Sequence, residues 1–407
     1  MRILAVNQFY APDLAATSQL LTQLCEDLVA GGDEVTVVAS PGSYLGGSRL
    51  PSREILRGVE VLRPWASSLG KRSVVHRLGD YLSFFASSAG ELARARRADV
   101  MLVLTTPPMI ASVAALVATS RRMPLVTWVQ DVYPEVAAAF GLFSAASPLY
   151  RGLALLGRAT HRQATRIVAL SEGMADRLRH QGAPAERLRV IPNWADGRQY
   201  EPDRAAPAPG AAFRRELGLE GRFVAMYSGN LGVGHDVATL IEAARLLARR
   251  APEVALVFVG EGGRRAEAER LARGLGNVRF APYQPTERLR ESLAAADVHL
   301  ASLRPGLEGL LVPSKLYGVM AVGRPLFYVG PAACEVSRVV REHDLGWRGE
   351  PGDAAGLADA LARAAGDPAW VARTGARARA AFLAHFDRPL AVAHWRRVLA
   401  EAAAAHR

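Results

Sequence analysis

Residues 1–39 read MRILAVNQFYAPDLAATSQLLTQLCEDLVAGGDEVTVVA, and the class of fold follows from them. Ile3–Val6 is a short apolar run that ends in turn chemistry. Leu20, Leu21, Leu24 and Leu28 then recur at the spacing of one helix face, which predicts a helix over Ser18–Leu28. Thr17 or Ser18 stands where a hydroxyl would cap it. Gly31-Gly32 stops the helix, and Glu34–Ala39 is a second strand. Strand, helix and strand joined this tightly make a parallel pair with its crossover.

Further along, strands are expected at Val59–Arg63, Val100–Leu104, Leu125–Val129 and Arg166–Leu170. Ile191-Pro192-Asn193-Trp194 closes this half, and Glu201–Gly210 has the proline and alanine content of a linker. A second series follows. It has strands at Phe223–Ser228, Val254–Val259, Val278–Phe280, Val298–Ala301 and Pro325–Val329. Helices over Val237–Arg250, Arg264–Leu275 and Thr286–Ala296 lie between them. The fold class is therefore α/β, with two facing Rossmann-like domains of parallel strands and a cleft between. The expected divisions are 1–195 and 196–385, with a linker at about 196–215 and a last helix in 386–407 packing back toward the first domain.

Composition narrows the function. Half of the 407 residues are apolar, enough for two cores. Cys25 and Cys334 lie far apart and form no CxxC, so neither a disulfide framework nor a structural zinc is expected. The first residues lack the basic and apolar regions of a signal peptide. The longest apolar run, Met109–Thr119, is too short to span a bilayer. A cytoplasmic protein is expected, on its own or at the cytoplasmic face of the inner membrane. The net charge is +11, and only Lys71 and Lys315 of the basic residues are lysine. An arginine-rich coding bias explains most of this, and the charge also favours anionic partners. No basic cluster is interleaved with aromatics, so nucleic acid is not an expected partner.

In doubly wound sheets the ligand sits beyond the carboxyl ends of the strands. The first strand-to-helix turn, Asn7–Thr17, contains no glycine, which argues against a dinucleotide cofactor in the first domain. Ser228–Gly234 (SGNLGVG) in the second domain is a glycine turn, readable as a pyrophosphate cradle or as a plain tight corner. Val259–Gly263 (VGEGG) ends the next strand on the same rim, with the same two readings. Ser302–Met320 (SLRPGLEGLLVPSKLYGVM) is the most specific segment. Pro313 or Ser314 fits a helix start there, which places Lys315 at a helix N-terminus. A cation is unfavourable at that end unless an anion accompanies it, so phosphate binding by Lys315 is favoured over a solvated lysine.

The order YSGNLG, FVGEG, PYQPTERL, AAADVHLASL and PSKLYGVMAVGRP resembles the C-terminal half of the retaining family 4 glycosyltransferases of GT-B fold. NQFYAPD, EVTVVAS, WVQDVYPE, IVALSEGM and VIPNWAD resemble their N-terminal half, and the subfamily of colanic-acid and O-antigen enzymes that includes the WbuB-like N-acetylfucosaminyl transferases. The resemblance covers essentially the whole chain. It implies transfer of a sugar from a nucleotide diphosphate, a UDP-sugar such as UDP-N-acetyl-L-fucosamine being favoured. The acceptor is a lipid-linked or other glycan hydroxyl, the anomeric configuration is retained, and neither metal nor cofactor is required.

The resemblance also implies roles. Gly229, Asn230 and Gly232 face the diphosphate, and Lys315 pairs with it. Gly260 and Glu261 lie near the base or ribose, and Ser314 and Leu316 flank the lysine. Leu310 and Leu311 lend backbone groups to the donor sugar or phosphate. On the acceptor side stand Asp131, as a group that orients or deprotonates the hydroxyl, Glu135, and the loop at Ala15, Ala16 and Thr17. From the residues alone, Asp131 equally fits a turn before Tyr133-Pro134, and Glu135 a helix start.

The sequence departs from the family in two places. Many members carry glutamates where this chain has Leu310 and Gly318, with Glu308 two residues out of register. Many also carry Arg and Lys in the first glycine turn, where this chain has Asn230 and Gly234-His235.

Lys71–Arg97 (KRSVVHRLGDYLSFFASSAGELARARR) places Leu78, Tyr81, Leu82, Phe85, Ala89 and Leu92 on one helical face between basic clusters. That fits peripheral contact with an acidic membrane, with Phe84 as an added apolar group; a core helix fits the stripe as well. Two other functions share this architecture: a UDP-sugar 2-epimerase and a non-catalytic sugar-nucleotide-binding subunit.

Overall fold

A computed structural model describes residues 1–43, 49–70, 74–201 and 210–405. The chain divides into two compact units. The first comprises Met1–Pro192, Gly309–Leu311 and Pro389–Arg407; the second comprises Asn193–Glu308 and Val312–Arg388.

In the first unit the order is β1 (Arg2–Val6), α1 (Ala16–Ala30), β2 (Glu34–Val38), β3 (Arg53–Leu56), β4 (Val59–Leu62), α2 (Val74–Arg94) and β5 (Val100–Leu104). It continues with α3 (Ile110–Ser120), β6 (Leu125–Trp128), α4 (Glu135–Ala139), α5 (Pro148–Gln163), β7 (Arg166–Ala169), α6 (Glu172–His180) and β8 (Leu188–Val190). The sheet order is β3-β4-β2-β1-β5-β6-β7-β8. Ile3 pairs with Val35 and with Val100, so β1 is central and parallel to both neighbours. β5 is buried along its whole length, as a strand covered on both faces must be.

Two details differ from the sequence reading. Helix α1 opens at Ala16 with Ala15 as its N-cap residue, so Thr17 and Ser18 lie inside it and cap nothing. The Asp13 carboxylate secures the turn instead, accepting from the Ala15 N–H at 2.8 Å. In α2 the expected single stripe splits. Phe84, Ser88 and Leu92 are buried, whereas Leu78 and Leu82 are exposed, so Phe84 belongs to the core and not to a surface face. Residues 71–73, part of the first basic cluster, lie outside the described residues.

The second unit runs α7 (Ala211–Glu216), β9 (Phe223–Ser228), α8 (Val237–Arg250), β10 (Val254–Val259), α9 (Arg265–Leu271), β11 (Val278–Ala281), α10 (Thr286–Ala294) and β12 (Val298–Ser302). Then come α11 (Lys315–Ala321), β13 (Leu326–Val329), α12 (Glu335–Glu342), β14 (Gly346–Gly349), α13 (Ala354–Ala365) and α14 (Pro368–His385). Its strands, ordered β11-β10-β9-β12-β13-β14, are all parallel. One cluster of side chains from α8, α13 and the sheet, including Leu240, Leu247, Phe258 and Leu361, fills one face. In the stretch read as a linker, Gly197–Tyr200 is a 3-10 turn and Ala211 already opens α7; residues 202–209 lie outside the described residues.

The last helix, α15 (Arg388–Ala404), lies almost wholly in the first unit. Trp395 stacks obliquely on Trp128 of β6 at 4.5 Å, both fully buried. Arg396 donates to the Asp27 carbonyl at 2.6 Å, and Arg166 and Arg189 both reach Glu401 at 3.2 Å.

Candidate donor and acceptor sites

The residues of the second unit read as donor contacts in the two glycine turns lie at the carboxyl ends of β9 and β10. The chain leaves β9 through Gly229, whose N–H donates to the Val259 carbonyl at 2.8 Å. Beside it runs Gly260, with φ +132°. A Cβ on Gly260 would stand 2.3 Å from the Gly229 oxygen, so only glycine allows the two turns to lie together. Leu231 N–H donates to the Glu261 carbonyl at 2.8 Å and locks the pair. Glu261's carboxylate meets Arg265 at 3.1 Å.

Lys315 rises into this corner. Its Nζ is buried and lies 3.5 Å from the centroid of the Tyr227 ring, with no hydrogen-bond partner among the described residues. Its Cε is 3.6 Å from where a Gly229 Cβ would be. Burial alone pushes the ammonium's pKa well down. Tyr227 is held from its other end, its hydroxyl donating to the Asn230 carbonyl at 2.9 Å. His235 closes the group, edge-on to Tyr227 at 5.7 Å. Its Nδ1–H donates to the Ser302 carbonyl at 2.6 Å. Burial, with the Lys315 charge second, pushes the imidazole down to about 3, so it stays neutral.

Ser314 occupies the N-cap position of α11 but makes no side-chain cap, and Leu316 is buried in the helix. Gly318 faces inward: a Cβ there would meet Leu293 at 3.5 Å and the Tyr200 hydroxyl at 3.7 Å. Glu308 bonds locally, accepting from Gly306 N–H at 3.1 Å.

In the first unit, Asp131 follows β6, where the Thr105 hydroxyl accepts from the N–H groups of Gln130 at 3.0 Å and Asp131 at 3.3 Å. Desolvation pushes the Asp131 carboxyl up to about 6. Leu310 and Leu311, read as donor contacts, are paired in this unit with the Asp131 edge. Val132 N–H donates to the Leu310 carbonyl at 2.8 Å, and Asp131 and Leu311 form an antiparallel bridge. Glu135 accepts from the Tyr150 hydroxyl at 3.2 Å and from Gln181, so its carboxylate already has two partners. Ala15 is engaged by Asp13; Ala16 is exposed and Thr17 half-buried at the start of α1. The sequence reading missed Tyr227 and His235. The one available signal was an aromatic at the end of a strand that runs into a glycine turn.

Two doubly wound α/β units, parallel throughout except for the antiparallel edge strand β3, are the architecture of the GT-B class of fold. The comparisons agree. The profile described as "Glycosyl transferase 4-like domain" matches residues 17–194, and that of "Glycosyl transferases group 1" matches 222–367. WcaI of Escherichia coli, named for colanic acid biosynthesis as a glycosyl transferase, is 28% identical over 83% of this chain and 86% of its own. WbjE of Pseudomonas aeruginosa, named as a glycosyltransferase, is 29% identical over 69% of this chain and 70% of its own. Among solved structures, Anabaena HepE in complex with UDP and glucose superposes with a TM-score of 0.73 at 18% identity, over 98% of this chain and 99% of that one. With both halves matched, the chain is a member of family 4 of the glycosyltransferases.

Proposed function

We propose that the protein transfers a sugar from a UDP-sugar, UDP-N-acetyl-L-fucosamine being the favoured candidate, to a hydroxyl of a lipid-linked glycan. The anomeric configuration is retained, no metal takes part, and the product enters a cell-surface polysaccharide at the cytoplasmic face of the membrane. The observation that carries the reading is Lys315. Lys315 is buried against the Tyr227 ring with no hydrogen-bond partner among the described residues, and a diphosphate beside it would hold the amine in its charged form and compensate that charge. As the sugar departs, charge grows on the diphosphate, and a fixed cation in a dry pocket stabilises it without reorganising. The N–H groups of Asn230 and Gly232 in the glycine turn would add to it. Asp131, ionised above about pH 6, would orient or deprotonate the acceptor hydroxyl. The names of WcaI and of the HepE complex with UDP support the polysaccharide and the nucleotide.

Calorimetric titration with UDP tests the reading. Lys315→Ala should weaken binding by a factor of about ten or more, which is about 1.4 kcal/mol. Unchanged affinity would remove Lys315 from the donor site. Turnover of labelled UDP-sugar, with and without a lipid-linked acceptor, separates transfer from epimerisation and from binding alone.

A further inference from the structure

Helices α2, α3 and α5 form one layer, with α3 packed against both neighbours. Arg121 at the end of α3 donates to the carbonyls of Leu92 at 2.5 Å and Ala95 at 2.7 Å. On the other side the Ser112 and Thr160 hydroxyls bond at 2.9 Å. Toward the sheet this layer is ordinary core, with Phe84, Leu92, Ala114 and Thr160 buried.

The same helices carry leucines that the protein leaves uncovered. Leu78 and Leu82 of α2 are 53% and 56% exposed, Leu116 of α3 71%, and Leu149, Leu155 and Leu156 of α5 57%, 62% and 45%. Leu69 joins them. The Asp80 carboxylate accepts from the N–H groups of Leu69 at 2.8 Å and Gly70 at 3.1 Å, which pins that loop to α2 beside Gly79. Isolated exposed leucines need no explanation, but neighbouring helices that share them do.

Charge on the layer is one-sided. α3 and α5 contain no acidic residue, and the two of α2 are Asp80, turned onto the loop, and the half-buried Glu91. Arg77, Arg151, Arg158 and Arg162 are exposed on the same helices.

We propose that the outward side of α2, α3 and α5 is a seat for an anionic lipid bilayer, α5 contributing as much as α2. The leucines enter the interfacial region and the arginines reach the phosphates of the headgroups. A second copy of the chain is the poorer occupant, because a basic face meeting itself sets like charges together. The inference rests on the reading of a lipid-linked acceptor, whose saccharide stands at such a surface.

Co-sedimentation of the full chain with vesicles tests it. Binding is expected to vesicles of phosphatidylcholine with phosphatidylglycerol, and not to phosphatidylcholine alone. It should weaken at about 0.5 M salt, where the Debye length is only a few ångströms. Leu155→Glu with Leu156→Glu should cut the bound fraction about tenfold, and so should Leu78→Glu with Leu82→Glu, with the thermal midpoint and UDP affinity unchanged. Absence of vesicle binding at low salt overturns the proposal, as does equal binding by the variants. A dimer that the Leu155 and Leu156 substitutions split, seen by light scattering, would assign the face to a second copy. Failure of the transfer reading would show separately, as missing turnover in a protein that still binds vesicles.

Discussion

Asp131 and His235 are both moved far from their usual protonation, in opposite directions and by the same cause. Burial pushes the Asp131 carboxyl up to about 6 and the His235 imidazole down to about 3. His235 therefore holds no charge between pH 5 and 8 and contributes no limb to a pH profile there. If Asp131 acts on the acceptor hydroxyl, turnover falls as the pH drops through about 6, because the carboxyl takes up a proton. Asp131→Asn should remove that limb together with a factor of about 100 or more in kcat, with UDP affinity intact. Activity of the variant near wild-type would put the acceptor group elsewhere.

The same shifts set opposite dependences of stability on pH. A carboxyl raised in the fold contributes stability at low pH that is lost as the pH rises through about 6. Asp131→Asn, which removes a desolvated charge, should therefore raise the thermal midpoint at pH 7 while lowering activity. For His235 the sign reverses. Its stability is present above the unfolded value of about 6.5 and is lost as the pH falls below it. His235→Phe should flatten the fall in thermal midpoint between pH 7 and pH 5; an equally steep fall in the variant would place the acid sensitivity in another group.

At the scale of elements, two neighbouring glycines give opposite expectations. Gly260 has positive φ and its Cβ would overlap the Gly229 backbone, whereas nothing lies within 4 Å of a Cβ on Gly263. Gly260→Ala should cost about 2 kcal/mol or more in urea unfolding and disturb UDP binding, while Gly263→Ala should stay within about 0.5 kcal/mol of wild-type. Equal effects would mean that the two turns do not rely on close approach.

These elements also mark what could be read in advance. Apolar runs of four to six residues gave β1, β2, β5, β9 and β10 to within a residue or two, because strands covered on both faces show no alternation to misread. β3 escaped, since it is a short edge strand with Arg53 and Ile55 outward and only half-buried residues between. α5 escaped for the reason that makes it interesting: its leucines do not follow the face that packs inward. At the candidate donor site, the closeness of the two glycine turns and Lys315 was legible as a motif. The Tyr227 ring beneath the ammonium was not, because a tyrosine at a strand end has no spacing rule that ties it to a lysine 88 positions later. The pairing of Leu310 with Val132 was hidden likewise, being a backbone contact that any side chains could make.

For the whole molecule, the helix that follows the second unit matters most to the first. Trp395 is fully buried against Trp128, and truncating it removes a large side chain that the surrounding core cannot refill. Trp395→Ala should cost about 3–5 kcal/mol, read in the unfolding of the first unit, with UDP binding by the second unit retained in the folded protein. A loss below about 1 kcal/mol would show that α15 rests on its ion pairs with Arg166 and Arg189, and not on the tryptophan contact.

The position of α15 also sets an order of events on the ribosome. β6 leaves the exit tunnel early, but the helix that covers Trp128 is made only after some 260 further residues have been translated. Throughout that interval the first unit presents an open tryptophan and the unmatched charges of Arg166 and Arg189. The half of the enzyme that is synthesised first is thus completed last, and it is in the nascent chain that a trigger for chaperone capture or misassembly would lie.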